Sequence, residues 1–339
     1  MRLLEVSKVR EVAGRALAQA GVPLDHAALQ LDLLLEAELR GVPSHGLLRL
    51  DRVIERIVNG VADPHAKGSQ TWRSDAFLAV DGQMGLGPVV ANAALDVIQE
   101  RARRTGIALA AITNSNHIGM LGWYAENVAA QGQTLIALST SEALVHPWGG
   151  RKALIGTNPI AIGVPTENEP FVMDTATSIV SMGEIHDHAH RGVSIPEHWA
   201  LDADGNPTTD PNRAKNGALA SFGGAKGYAL GLAFELLVTS LAGAAIGPDV
   251  RGTLDASDIC NKGDVFIVVD GPQPKLAGYL DLIRSTEPAQ GFDRVLVPGD
   301  RARECRKQRL VEGIPVAEEV WERLQVLANS PISPNRKYG

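Results

Sequence analysis

From Ala76 onward the chain alternates short apolar runs with segments of helical spacing, and no other feature restricts its fold so strongly. "AFLAVDG", "GIALAAIT", "TLIALST", "NPIAIGVP", "PFVMD", "DVFIVVD" and "RVLVPG" have the length and residue types of strands. Between them lie helical patterns through "VVANAALDVIQERARR", after Gly119, and over a long stretch from Gly227. This alternation predicts a layered α/β fold around a substantial sheet. "NPIAIGVP" and "EPFVMD" are joined by too few residues for a helical crossover, so they pair antiparallel and the sheet is mixed. Residues 4–60 read instead as helix: Val6 to Ala20, a second helix with Asp25 as N-cap, and a third opened by Ser44. "ARECRKQRLVEGIPVAEEVWERLQVL" adds two helices before a polar tail. The chain thus divides into a helical module, 1–75, that packs with the C-terminal helices of 300–339, and a sheet domain, 76–299. The latter contains a Pro-, Gly-, Asp- and Asn-rich irregular excursion over 185–221, of the kind that is often functional.

Several function classes are excluded on composition. A net charge of −7 with scattered Lys and Arg offers no basic stripe to nucleic acid or to an anionic membrane. Cys260 and Cys305 match no metal or disulfide spacing, which predicts structural cysteines, no bound metal and a reducing cytoplasm. Arg2, Glu5, Lys8, Arg10 and Glu11 interrupt the N-terminus, so it reads as an amphipathic helix rather than a signal peptide. The run Ala229 to Gly247 approaches spanning length but contains Glu235 and small residues, and reads as a buried helix of a soluble protein.

Chemistry-bearing residues cluster in a few places. His117 stands where the strand Ile107 to Ile112 gives way, through Asn114, Ser115 and Asn116, to a helix; in open α/β sheets ligands bind at that corner. Ser44, His45 and Arg49 fall within a turn and a half of one another, where an imidazole can exchange a proton and a guanidinium can grip a carboxylate. Each also has a plain structural reading, Ser44 as N-cap and Arg49 as a surface ion pair. Thr157 and Asn158 close a glycine-rich loop that either lines a pocket or is only a turn. Gly82 to Gly87 fits neither dinucleotide nor Walker spacing and reads as a turn. Lys226 and Gly227, after Gly223 and Gly224, open a helix suited to phosphate or simply begin it. Asp174, Thr175, Thr177 and Ser178 suit a ribose or pyrophosphate, or cap a helix. His186, His188, His190 and Arg191 lack the partners of a metal site; they form an anion site, such as one for the extra phosphate of NADP, or a solvated face.

Taken in order, "RGVPSHGLLRL", "NSNHIGMLGWYAE", "GGRKALIGTNPIAIGVP", "FVMDTATS", "HWALDADGNPTTDP", "GGAKGYALGLAFELL", "NKGDVF" and "VPGDRARE" resemble the malate/L-lactate dehydrogenase-2 type oxidoreductases over about residues 5 to 328. That family includes sulfolactate, malate and ureidoglycolate dehydrogenases, diketogulonate reductase and piperideine-2-carboxylate reductases. The resemblance implies a three-layer α/β/α fold with a mixed, non-Rossmann NAD(P)-binding sheet, which accounts for the missing GxGxxG, plus helical N- and C-terminal parts. It also implies a homodimer with active sites near the subunit interface. By resemblance, His117 and His45 are proton-transfer positions, and Ser44 and Arg49 are substrate-side. Ser141, Asp174, Thr175, Ala176, Thr177, Lys226, Pro298, Gly299 and Asp300 match cofactor contacts. Glu142 departs from the basic or neutral residue of some members, and "CNKGD" lacks an aromatic found nearby in others; both bear on substrate identity. The implied activity is hydride transfer between NAD or NADP, with NADP ahead, and C2 of a small 2-hydroxy or 2-oxo acid of sulfolactate or malate type. An NADPH-dependent reductase of cyclic imines (piperideine- or pyrroline-2-carboxylate) and a non-catalytic NAD(P)-binding protein are the alternatives.

Overall fold

A computed structural model describes residues 1–272 and 275–330; the polar tail from residue 331 lies outside them. The elements in order are β1 (Arg2–Leu4), α1 (Val6–Gln19), α2 (Leu24–Leu39), a 3-10 turn (Pro43–His45), α3 (Leu48–Val58), β2 (Ser69–Ser74), β3 (Phe77–Asp81), α4 (Gly87–Thr105), β4 (Ile107–Thr113), α5 (Leu121–Ala130), β5 (Thr134–Ser139), β6 (Ile160–Val164) and β7 (Phe171–Thr175). There follow α6 (Met182–Arg191), β8 (Ala200–Leu201), α7 (Pro211–Ala214), β9 (Ala218–Leu219), α8 (Ala225–Ala242), β10 (Asp264–Val269), α9 (Ala277–Arg284), α10 (Asp300–Glu312), β11 (Ile314–Val316) and α11 (Glu318–Asn329).

Seven strands form one sheet in the order β2-β3-β4-β10-β5-β6-β7. Only β3 and β4 run parallel; the remaining pairs, β6 with β7 among them, are antiparallel. The sheet is central and covered on both faces, so its middle strands are apolar nearly throughout rather than alternating. On one face α4 and α5 pack Val90, Ala94, Ile98, Tyr124 and Val128 against Ala110, Ala137 and Phe266. The other face carries α8, whose Val238 meets Ala111, Leu138 and Val265. Gly106, at φ 80°, ends α4 in the left-handed conformation and turns the chain into β4. At one end a helical cap shares its core among Leu17, Leu34, Leu50, Trp321 and Leu324, and the β1–β11 pair ties the two ends of the chain together.

Several expectations need correction. Asp25 sits inside the first turn of α2, whose N-cap is Pro23. Ser44 does not open α3: proline at 43 starts a 3-10 turn, and α3 begins only at Leu48. "RVLVPG" forms no strand, because Arg294 bonds to Glu304 and Val297 turns into α10. The excursion 185–221 is partly regular, with the rest of α6, the short β8–β9 pair and α7 around a small core of Ile185, Ile195, Ala200, Ala214 and Leu219. The long apolar run is not a buried helix. Within α8 only Gly227, Gly231, Glu235 and Val238 are buried, a stripe at helical spacing, while Leu230, Leu236 and Leu237 are exposed. A helix apolar all round shows no stripe in its sequence, so which side faced the sheet was not readable.

Candidate active site

The sheet places the C-terminal ends of β4 and β5 beside the start of β10: Asp264 pairs across to Ile112 on one side and Ser139 on the other. The chain leaving β4 passes through residues 114–120 to α5 and carries His117 over this edge. The 3-10 turn at the end of α2 brings His45 opposite, with the two imidazole centroids 5.5 Å apart. Together they line a cleft of about 780 Å³ whose walls come from the segment just after α2, from α5, α6 and α10, and from the ends of β5 and β7.

Local hydrogen bonds hold each group. The Gly119 N–H donates to His117 Nδ1 at 3.0 Å, which leaves the hydrogen of the neutral ring on Nε2. Gly119 is at φ +71° and a Cβ there would lie 2.1 Å from Leu33 Cδ2, so this bond depends on glycine. Ser44 Oγ meets His45 Nδ1 at 3.1 Å, and Arg49 Nε donates to the Ser44 carbonyl at 2.8 Å. One turn therefore supplies the hydroxyl, an imidazole and a guanidinium. Among the described residues no carboxylate lies in ion-pair range of Arg49.

Burial and like charge act together on the imidazoles. Burial lowers His45 to about 4, with the positive charge of Arg49 in the same direction. Burial also pushes His117 well down, helped by Arg49, His45, Lys262 and Arg56. At neutral pH both rings are uncharged unless an anion enters. Asp174, at the end of β7, accepts from the Gly122 N–H at 2.6 Å at the start of α5, and burial raises its carboxyl to about 6.

Eleven of the sequence-derived residues reach the cleft: Ser44, His45, Arg49 and His117 at one end, and Ser141, Thr157, Asp174, Thr175, Ala176, Ser178 and Gly299 along it. The others do not line it. Asn158 is fully buried, at φ 34°, donating to Glu235 and to the Gly231 carbonyl. Thr177 donates to the Thr157 carbonyl at 2.8 Å and so fixes the cleft floor from behind. Lys226 is exposed on the first turn of α8, and Gly227 packs so tightly that a Cβ would lie 1.8 Å from the Phe222 carbonyl oxygen. Pro298 is exposed, and Asp300 is held by Arg284 and Arg303. His186 and Arg191 lie on the outer side of α6, with Arg191 paired to Asp187 at 2.6 Å. Glu184, Asp187 and His188 come within metal-ligand spacing on that same helix, with Arg191 beside them.

Three residues escaped sequence reading. Lys262 (2% exposed) lines the cleft and pairs with Asp264 (0% exposed), which also accepts from Ser139 Oγ at 2.7 Å. "NKGD" stands at the start of β10, and it reaches the cleft only because β10 runs antiparallel between β4 and β5, which local spacing does not reveal.

The cleft suits a dinucleotide. Its volume lies within the usual ligand range, and hydroxyls and a carboxylate run along it. Ser178 Oγ, buried in its wall, has no hydrogen-bond partner among the described residues.

Comparison with known proteins bears on the same point. A family model described as malate/L-lactate dehydrogenase matches residues 4–325. The chain is 34% identical over 321 residues to L-sulfolactate dehydrogenase of Methanocaldococcus jannaschii, covering 92% of each chain. It is 38% identical over 336 residues to Delta(1)-pyrroline-2-carboxylate reductase 1 of Burkholderia ambifaria, covering 96% of this chain and 97% of that one. The crystal structure of a dehydrogenase from Sinorhizobium meliloti superimposes with a TM-score of 0.93 at 51% identity, over 96% of this chain and 98% of that one.

Proposed function

The chain belongs to the malate/L-lactate dehydrogenase family, an oxidoreductase by that membership, and we propose that it transfers hydride between NADP(H) or NAD(H) and C2 of a small 2-hydroxy or 2-oxo acid. The observation that carries the reading is the pair of facing imidazoles beside the uncompensated Arg49 in one cleft. A nicotinamide bound in the cleft supplies or accepts the hydride. Arg49 holds the substrate carboxylate in its planar fork. Binding that anion offsets the Arg49 charge that adds to burial in holding both rings down, so the affinity of His117 and His45 for a proton rises when substrate arrives. The pair then supplies the proton that the oxygen on C2 needs. Full protonation of His117 breaks the Gly119 N–H bond, whereas the Ser44 hydroxyl at His45 can reverse its role, so His45 is the alternative carrier.

Cofactor preference rests on cations at the periphery. Arg191 is tied only by an exposed ion pair of little worth, and Arg301 lines the cleft with no ion pair among the described residues; both favour NADP. For the substrate, sulfolactate or malate requires a second anion reader. Lys262 is already neutralised by Asp264, which favours the second reading, reduction of a cyclic imine that carries one carboxylate, in line with the pyrroline-2-carboxylate reductase relative. The exposed Leu230, Leu236 and Leu237 face of α8 supports a homodimer, since contiguous apolar surface of this kind marks a protein interface. The test is NAD(P)H consumption with a panel of 2-oxo acids and cyclic imines. Turnover on oxo acids alone supports the first reading, on imines alone the second. The absence of both, with NAD(P)H bound, leaves a non-catalytic binding protein.

A further inference from the structure

The turn that carries Ser44 and His45 rests on one buried side chain. Glu38, in the last turn of α2, is 4% exposed, and its Oε1 accepts the Leu47 N–H at 2.8 Å. The backbone of Gly46 lies flat against the same carboxylate: a Cβ at Gly46 would fall 2.2 Å from Oε1, 2.6 Å from Cδ and 2.9 Å from Cγ. The contact thus brackets His45 on its C-terminal side, between the 3-10 turn and the start of the helix that carries Arg49. Glu38 does not line the cleft, and its side-chain hydrogen bond goes to Leu47. A buried carboxylate is costly, and leucine or alanine would fill a helix–turn contact at lower cost, so the group calls for a function.

We propose that Glu38 is a positioning residue for the reaction, its carboxylate fixing through Leu47 and Gly46 the turn that presents Ser44, His45 and Arg49 to the substrate. The proposal rests on the hydride-transfer reading for its kinetic consequences, and on geometry alone for its structural ones. Burial raises Glu38 to about 7, against the opposing pull of the Leu47 N–H and of Arg309 on α10. Arg309 is the one charge that acts on it among the described residues, and its guanidinium donates to the backbone carbonyl of Glu38 itself. As pH falls through this range the carboxylate takes up a proton, loses its charge-assisted bond and loosens the turn. The resulting limb runs opposite to that of a proton donor in reduction, whose rate falls as pH rises.

Glu38→Gln keeps an acceptor for the Leu47 N–H and is neutral at every pH; Glu38→Ala removes the contact. The expected result is that kcat/KM of the wild type falls below pH ~7 while Glu38→Gln has no such limb. Glu38→Ala loses ~10- to ~100-fold in kcat with NAD(P)H affinity, read by fluorescence, within twofold of wild type. Hydrogen exchange of the Leu47 amide accelerates in Glu38→Ala, and in the wild type its protection relative to the intrinsic rate at each pH falls on acidification, whether or not any substrate is turned over. A limb retained at its wild-type position near pH ~7 in Glu38→Gln, rather than moved down toward the titration of Asp174, or wild-type Leu47 exchange in Glu38→Ala, overturns the proposal. A wild type that oxidises NAD(P)H with no oxo acid or imine overturns the functional reading instead, and the exchange result still decides the role of Glu38.

Discussion

Glu235→Gln probes the buried group that holds the cleft floor. In the wild type this carboxylate, 1% exposed in the inward stripe of α8, accepts three hydrogen bonds. Oε2 takes the Gly156 N–H at 3.0 Å and Asn158 Nδ2 at 2.7 Å, and Oε1 takes the Gly247 N–H at 2.6 Å. Glutamine has one oxygen. In its better orientation that oxygen keeps Gly156 and Asn158, and the amide NH2 meets the Gly247 N–H donor to donor. Two buried donors then go unmet at ~1–3 kcal/mol each, and movement of the short loop after α8 relieves part of the strain, leaving about 2–4 kcal/mol. At roughly 2 °C per kcal/mol for a chain of this size, Tm falls by ~4–8 °C. Because Gly156 leads directly to Thr157 in the cleft, NAD(P)H binds more weakly as well. Circular-dichroism melts with and without NADPH measure both effects. A Tm within ~1 °C of wild type refutes the reasoning, since it requires that the two unmet donors find other partners at no cost.

Other substitutions separate the roles assigned to the cleft. His117→Gln lowers kcat by ~10²- to ~10⁴-fold with cofactor affinity retained; near-normal turnover gives the proton to His45. Arg49→Lys keeps the charge but loses the fork, and raises KM for the acid or imine by ~10-fold or more; unchanged KM removes Arg49 from the carboxylate. Arg191→Ala shifts the ratio of NADPH to NADH dissociation constants toward NADH, and if the ratio holds, Arg301 is the residue to test next. Leu236→Lys, on the exposed face of α8, converts dimer to monomer in light scattering; a wild type that is monomeric at assay concentration removes the basis for this face as an interface.

What was legible in the sequence followed from local pattern. The sheet strands β3 to β7 and β10 are short runs of apolar residues bounded by turn residues, and the β6–β7 hairpin followed from the brevity of its connection. The corner position of His117 and the convergence of Ser44, His45 and Arg49 were readable because each cluster is local: the strand end and the single turn put those residues together before any long-range contact forms. Non-local facts were not readable. Nothing in sequence spacing brings Lys262 to His117, Glu235 to Gly156, or Glu38 under Gly46, because each depends on which strands are neighbours and on how a helix is rotated. Thr177 and Asn158 read as ligand contacts but bond behind the cleft instead, since whether a polar side chain faces a cavity or satisfies nearby backbone depends on one dihedral angle. Arg191 illustrates the reverse: the charge was visible, but its Asp187 partner one helical turn earlier had to be seen in place. The outward leucines of α8 carry no local signal because a continuous apolar run has no preferred side.

The most direct test follows the hydrogen itself. NADPH carrying deuterium at both C4 positions is incubated with the protein and the best oxo acid or cyclic imine of the panel, and the product is read by mass spectrometry. The account predicts one deuterium at C2, its transfer abolished together with turnover in the His45→Gln, His117→Gln double variant. Product without deuterium, or transfer that survives loss of both imidazoles, contradicts it.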